Sequence, residues 1–111
     1  TFEEIKASGS ISKYSQISGG TLDRDSLVKV GNTVFASARL YNINESSVGY
    51  YFEIPSDYRP KTKQYVMAYT VVDSVFIPIQ AEVNTNGLIM ISYSQSKNTT
   101  QVGFSGSWTT T

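Results

Sequence analysis

The sequence predicts an all-β domain, an antiparallel β-sandwich or jelly roll of about seven or eight strands. Three observations predict it. Val and Ile number 19 against nine for Leu plus Ala, and Ser plus Thr add 27 residues, a composition that suits pleated, half-buried strands and disfavours helices. Polar and apolar residues alternate through several stretches, the period of two that a strand shows. Turn dipeptides, above all Gly31-Asn32 and Asn86-Gly87, punctuate those stretches and demand the positive φ of tight hairpins. With 111 residues, 40% of them hydrophobic and 13% aromatic, the chain has the size and apolar content of one core and one domain.

Thr1 to Ala7 (TFEEIKA) is the one segment of helical composition, and a stretch so short holds no helix without tertiary support. Residues 1–10 are therefore assigned to a linker from a preceding domain, and 11–111 to the folded domain. Since the chain starts at Thr1, it is expected to be a mature product or an excised domain. From Leu27 to Tyr41, LVKVGNTVFASARLY reads as a hairpin turning at Gly31-Asn32. Its second arm places Val34, Ala36, Ala38 and Leu40 on the core face, with Phe35, Ser37, Arg39 and Tyr41 on the other. Asn42 to Ser47 is read as a polar loop. Beyond it Val48, Tyr50, Phe52 and Ile54 are expected to face inward, alternating with Gly49, Tyr51 and Glu53 until Pro55 ends the ladder.

Pro55 to Lys63 (PSDYRPKTK) holds two prolines and four charged residues and reads as a stiff, exposed connection. Gln64–Val72 and Val75–Val83 are apolar at nearly every position, with Asp73-Ser74 between them. Strands of that kind have little polar face for water and need cover on both sides, from a second sheet or from a neighbouring subunit. Asn86-Gly87 turns the chain into Leu88–Ser94, a polar loop follows to Thr100, and Val102–Trp108 is the last strand, where Gly103 and Gly106 imply a bulge or a close neighbouring backbone.

Nine Lys plus Arg balance nine Asp plus Glu, so no net field steers the protein to nucleic acid or to an anionic membrane. The absence of Cys and His removes disulfides, thiol nucleophiles, imidazole ligands and Ser-His or Cys-His catalysis. No cofactor and no metal site is expected. No apolar run approaches the roughly 18–20 residues of a membrane span, so insertion into a membrane is not expected either.

The hairpin VKVGNTVFASARL at Val28–Leu40, the stretch FEIPSDYRP at Phe52–Pro60 and the later VNTNGLIMIS at Val83–Ser92 occur in an order that resembles the C-terminal head domains of receptor-binding and baseplate (tail fibre) proteins of tailed phages infecting Gram-positive bacteria. The resemblance runs from about Leu27 to Ser94 and lies in the order of the segments, each being ordinary β punctuation alone. It implies a β-sandwich head that forms a homotrimer at the tail tip or baseplate of the virion, contacts other tail and baseplate proteins, and binds cell-wall or surface saccharide of the host. The main rival is a trimerisation module that binds no sugar.

A saccharide site needs an aromatic ring to stack on a sugar face and polar groups for the hydroxyls. Trp108, the single Trp, is read either as such a platform or as a core anchor. Asp57, Tyr58 and Arg59 lie between two prolines, where they either present a carboxylate, a phenol and a guanidinium to ligand or close a structural turn with an Arg59–Asp57 pair. Arg39, Tyr41, Tyr51 and Glu53 are assigned to outward strand faces, as a groove or as a solvated sheet surface. Asp23 and Asp25 have the spacing that opens some calcium loops but lack the rest of that pattern. Hydrolysis by carboxylates alone would draw a pair from Asp23, Asp25, Glu53, Asp57, Asp73 and Glu82, and no spacing selects one, so the expectation is a protein that is not an enzyme.

Overall fold

A computed structural model of the chain describes residues 6–45, 48–92 and 97–111. Its strands are β1 (Lys6–Ser8), β2 (Ser12–Lys13), β3 (Thr21–Val30), β4 (Thr33–Glu45), β5 (Val48–Glu53), β6 (Gln64–Val72), β7 (Val75–Val83), β8 (Leu88–Ser92) and β9 (Thr99–Thr109), with one 3-10 turn at Ser56–Tyr58. They form a single antiparallel sheet in the order β1-β3-β4-β9-β6-β7-β8-β5-β2. The all-β antiparallel class is the one the sequence predicts. The ladder is continuous, and its two halves face each other across the core. Phe52 of β5 meets Phe104 of β9 with ring centroids 5.0 Å apart, although three strands separate β5 from β9 along the ladder. Such contact requires the sheet to curl on itself.

Both edges of this sheet belong to one short piece of chain. β1 pairs with β3 (Lys6↔Val30, Ser8↔Val28), and β2, three residues further on, pairs with β5 (Ser12↔Glu53, Lys13↔Phe52). Gly9 N donates to the Leu27 carbonyl at 3.0 Å, and Tyr14 N donates to the Tyr51 carbonyl at 3.0 Å. The segment staples the two free edges together, occupying donors and acceptors that an open sheet would offer to another chain. Lys6–Ser8, which sequence reading places in a linker, thus form an edge strand on the core ladder.

The hairpins form where turn chemistry puts them. Gly31 (φ 60°) opens the β3–β4 turn, and Asp73 and Ser74 (φ 52° and 64°) both adopt the left-handed conformation in the β6–β7 turn, as a two-residue mirror-image turn requires. Between β7 and β8 the turn spans Asn84 to Gly87. Gly87 N donates to the Asn84 carbonyl at 2.9 Å, and the Asn86 side-chain oxygen accepts from Leu88 N at 3.1 Å. The inner face of β4 carries Val34, Ala36, Ala38 and Leu40, all buried, as the alternation predicts. Val102 and Phe104 lie beside them on β9, and Val66, Ala68, Ile89 and Ile91 join them in the core. A Cβ on Gly106 would overlap the Val66 side chain, so the last strand does press against its neighbour.

Two stretches depart from the predicted phase. The expected loop from Asn42 is instead the end of β4, which continues to Glu45 through a register irregularity between Tyr41 and Glu45. Asn42 takes a positive φ of 58° there, which Asn tolerates, and Ser46 and Ser47 lie outside the described residues. In β5 the register slips between Tyr50 and Phe52 (Tyr50↔Met90, Phe52↔Ile89), so Tyr51 is an extra, bulged residue. Tyr51 and Phe52 both point inward, at 1% and 0% exposure, while Tyr50 emerges at the surface. The inward assignment of Tyr50 and the outward assignment of Tyr51 are thereby reversed. That of Val48 lies outside the described side chains.

A chain beginning at residue 11 should lose β1 and unzip one edge of the roll. With net hydrogen bonds contributing roughly 1 kcal/mol each, the loss of this three-residue strand should lower unfolding free energy by about 2–3 kcal/mol. Urea denaturation of the full and truncated chains checks it, and equal midpoints would mean that 6–10 act as a mere linker.

Candidate binding site

The residues singled out from the sequence do not converge. Trp108 is buried at 2% exposure, and its Nε1 donates to the Tyr58 carbonyl at 2.7 Å. It is a core anchor that pins the Pro55–Pro60 connection, and no ring face remains for a sugar. Tyr58 is buried, and its ring lies where a Cβ on Gly9 would sit, so the phenol packs under the edge-stapling segment. Asp57 is exposed, and its main-chain carbonyl accepts from Lys29 Nζ at 2.9 Å. Arg59 turns away from Asp57: its Nε donates to the Ile54 carbonyl at 2.9 Å, and its Nη2 stands 3.8 Å from Glu53 Oε2. The expected Arg59–Asp57 pair is thus replaced by Arg59–Glu53. Tyr51 is interior for the reason given by the bulge.

Arg39 lies on the outer face of the sheet, where its Nε donates to Asp23 Oδ1 at 2.7 Å and its guanidinium lies 4.6 Å from the Tyr41 ring centroid. The hydrogen bond from Arg39 holds the Asp23 carboxyl below the usual carboxylate range and raises the Arg39 guanidinium, against the opposing effect of partial burial. Asp23 is therefore committed to an ion pair, while Asp25 is exposed beside the register break of β3. At the β6–β7 turn Lys97 Nζ sits 2.8 Å from Asp73 Oδ2, and this hydrogen bond raises the lysine.

A hollow of about 480 Å³ lies elsewhere, beside β5. Tyr14, Gln16, Glu45, Tyr50 and Tyr51 line it, with Gly49 and Met90 at the strand surfaces and Ile17 below the loop. The β5 bulge builds it by lifting Tyr50 out and turning Tyr51 in. The Tyr14 main chain is tied to Tyr51, and the rings of Tyr14 and Tyr50 then meet edge to face, centroids 5.7 Å apart and planes at 65°. Ile17 N closes a turn on the Tyr14 carbonyl at 3.1 Å, and Lys13 Nζ reaches the Gly19 carbonyl at 2.7 Å, which clasps the loop. Gly49 leaves the space open, because a Cβ there would stand in ordinary contact with the Tyr51 ring, 3.8 Å from its nearest carbon. The pocket offers ring faces for stacking, phenol and amide groups for hydrogen bonds, and one carboxylate.

Sequence reading missed Tyr14, Gln16, Glu45 and Tyr50. A signal for Tyr50 was present: Tyr50-Tyr51-Phe52 puts three rings in succession, and strict alternation cannot bury or expose all three. Nothing local marks Tyr14 and Gln16, whose position follows from edge pairing.

A second surface is the outer face of the curled sheet. Met67 is 72% exposed, and Phe35, Tyr65 and Phe76 are all more than half exposed. Between them Ser26, Ser37 and Ser105 stand in register across β3, β4 and β9, and Met67 on β6 continues the row. This answers the need for cover read from Gln64–Val72 and Val75–Val83 only in part: Val66, Ala68, Thr70, Val72, Ala81 and Val83 are buried on the inner side, while Tyr65, Met67 and Phe76 on the outer side are exposed.

No protein-family model matches the chain, and no curated protein is significantly similar to it in sequence.

Because the folded Asp23 pKa is depressed, the stabilisation from the Asp23–Arg39 pair is present above the ordinary aspartate pKa of about 4 and is lost as pH falls through the folded value. Thermal unfolding of Arg39→Met beside the unaltered protein should show a lower midpoint for the variant at pH 7, with the gap closing at pH 2–3. A gap independent of pH would deny the pair its role.

Proposed function

We propose that this domain is a non-enzymatic adhesion head that binds cell-wall or surface saccharide of a Gram-positive host from the tail tip or baseplate of a phage virion. The observation that carries the reading is the tyrosine-edged pocket, whose ring faces, amide and carboxylate are the groups by which proteins hold sugars. The order of segments from Val28 to Ser92 supports the phage setting. Of the carboxylates available for hydrolysis, Asp23 is paired with Arg39, Glu53 with Arg59, Glu82 with Lys63 and Asp73 with Lys97. The Asp23 carboxyl, held below the usual range by Arg39, is unsuited to act as a general acid, which needs a raised pKa.

The uncovered outer face supports the homotrimer. Several large apolar side chains exposed on one face of a small domain suggest an interface, and Met67, Phe76 and Tyr65 have the character of interface cores. Three weak sugar sites on one head, and several heads on one virion, would multiply weak contacts into firm attachment. The same face equally suits a structural trimerisation module, and binding experiments separate the two.

Fluorescently labelled domain should bind selected Gram-positive strains and be displaced by their purified cell-wall polysaccharide. Gly49→Val should preserve or slightly raise stability, by about 0.5 kcal/mol from the gain in strand propensity, while reducing binding at least about tenfold by filling the pocket. Binding that Gly49→Val leaves intact would place the ligand elsewhere, and a panel including the true host that shows no binding would favour the structural module. Met67→Glu on the outer face should convert a sedimenting trimer to monomer without loss of folded β signal in circular dichroism. A monomer already present in the unaltered protein at micromolar concentration would remove the face as a trimer interface.

A further inference from the structure

Strict pleating would send Tyr50 and Glu53, three positions apart on β5, to opposite faces. The bulge cancels that alternation. Tyr51 and Phe52 both turn inward, and Glu53, paired with Leu88, comes out on the same side as Tyr50, with its side chain 45% exposed. On the neighbouring strand Ser12 lies opposite Glu53, two residues before Tyr14, whose ring meets that of Tyr50. The β2–β5 edge therefore carries a second hollow in line with the tyrosine pocket. It measures about 150 Å³ and is lined by Ser10, Ser12, Glu53, Ile54, Pro55 and Arg59. At about 3.3 Å per residue, Tyr50 and Glu53 stand at most roughly 10 Å apart along the strand.

Arg59 is held in place from behind. Its Nε donates to the Ile54 carbonyl at 2.9 Å, and it lies against Gly87, where a Cβ would overlap the guanidinium. Nη2 stands 3.8 Å from Glu53 Oε2, beyond hydrogen-bonding reach, so a ligand hydroxyl between them can accept from the guanidinium and donate to the carboxylate. The two charges are opposite and adjacent, which favours a neutral hydroxylated ligand over an ion. Ser10 and Ser12, both exposed, add hydroxyls that donate or accept. Among the described residues the lining holds no aromatic ring, so this hollow supplies hydrogen bonds and the tyrosine pocket supplies stacking as well.

We propose that this hollow is a second subsite for the same ligand, binding the hydroxyls of one sugar unit while another unit stacks in the tyrosine pocket. The ligand is then an oligosaccharide laid along the β2–β5 edge rather than a single sugar. The inference rests on the reading of the tyrosine pocket as the saccharide site.

The test is an NMR titration of the full chain with fragments of Gram-positive cell-wall polysaccharide, released by partial hydrolysis and sorted by length from single sugars to tetrasaccharides. Tetrasaccharides should bind at least about tenfold more tightly than single sugars, because the second contact is made at high effective concentration, and they should shift the Arg59 Nε–H signal. Ser12→Val fills the hollow from an exposed edge position, and Glu53→Gln removes the charge pair while keeping its shape. Each should erase most of the gain with length. Equal affinity for single sugars and tetrasaccharides, or a gain with length that both variants leave intact, overturns the inference. If either result comes while Gly49→Val still abolishes binding, the tyrosine pocket remains the saccharide site on its own. If binding ignores Gly49→Val, Ser12→Val and Glu53→Gln alike, or if no fragment binds, both readings fall.

Discussion

The bulge at Tyr51 is the constraint on which both the fold and the candidate site depend. One unpaired residue in β5 lets two consecutive rings enter the core, which regular pleating forbids. Phe52 reaches across the interior to Phe104 and so fixes how tightly the sheet curls. Tyr51 occupies the end of that interior, while its main-chain carbonyl receives Tyr14. Tyr50, displaced outward by the same step, becomes a wall of the pocket. Core closure, edge closure and pocket formation are therefore one event in the chain, and deleting the extra residue would undo all three.

The way the edges close explains which surfaces remain for partners. An open antiparallel sheet is liable to pair with other chains along its edges. Here the segment from Lys6 to Lys13 lies along both, with the Trp108 bond to the Tyr58 carbonyl holding the adjacent connection. Among the described residues, Met67 and Phe76 on the outer face are the most exposed large apolar side chains, and the pocket opens at the bulge. A broad apolar face suits a second copy, and a small tyrosine-lined hollow suits a small ligand. The separation of the two lets assembly and recognition proceed on different parts of the domain.

Much of the fold was legible in the sequence because local rules decided it. Gly31, Asp73-Ser74 and Asn86-Gly87 mark their turns through positive φ and side-chain hydrogen bonding, and the alternation of Val34, Ala36, Ala38 and Leu40 settles which face of β4 is buried. Register and long-range pairing were not legible. Lys6–Ser8 are too polar and too few to announce a strand, and only the exposed edge of β3 makes them one. Glu45 reads as loop because Asn42 to Ser47 is polar apart from Ile43, yet β9 pairs with it through Thr99. The site suffered most: Trp108, Tyr58 and Tyr51 were attractive as platforms because they are aromatic, and the core claimed them for the same reason. Their size makes burial worth more than exposure to a ligand.

The most direct test of the account follows the ring signals of the eight tyrosines in a domain labelled with 13C-tyrosine, while Gram-positive cell-wall polysaccharide fragments are added. The account predicts that Tyr14 and Tyr50 shift and broaden together, with Tyr41, Tyr65 and Tyr69 on the outer face unmoved. Shifts confined to those outer-face rings, or none at any ring with a polysaccharide the domain demonstrably binds, would contradict it.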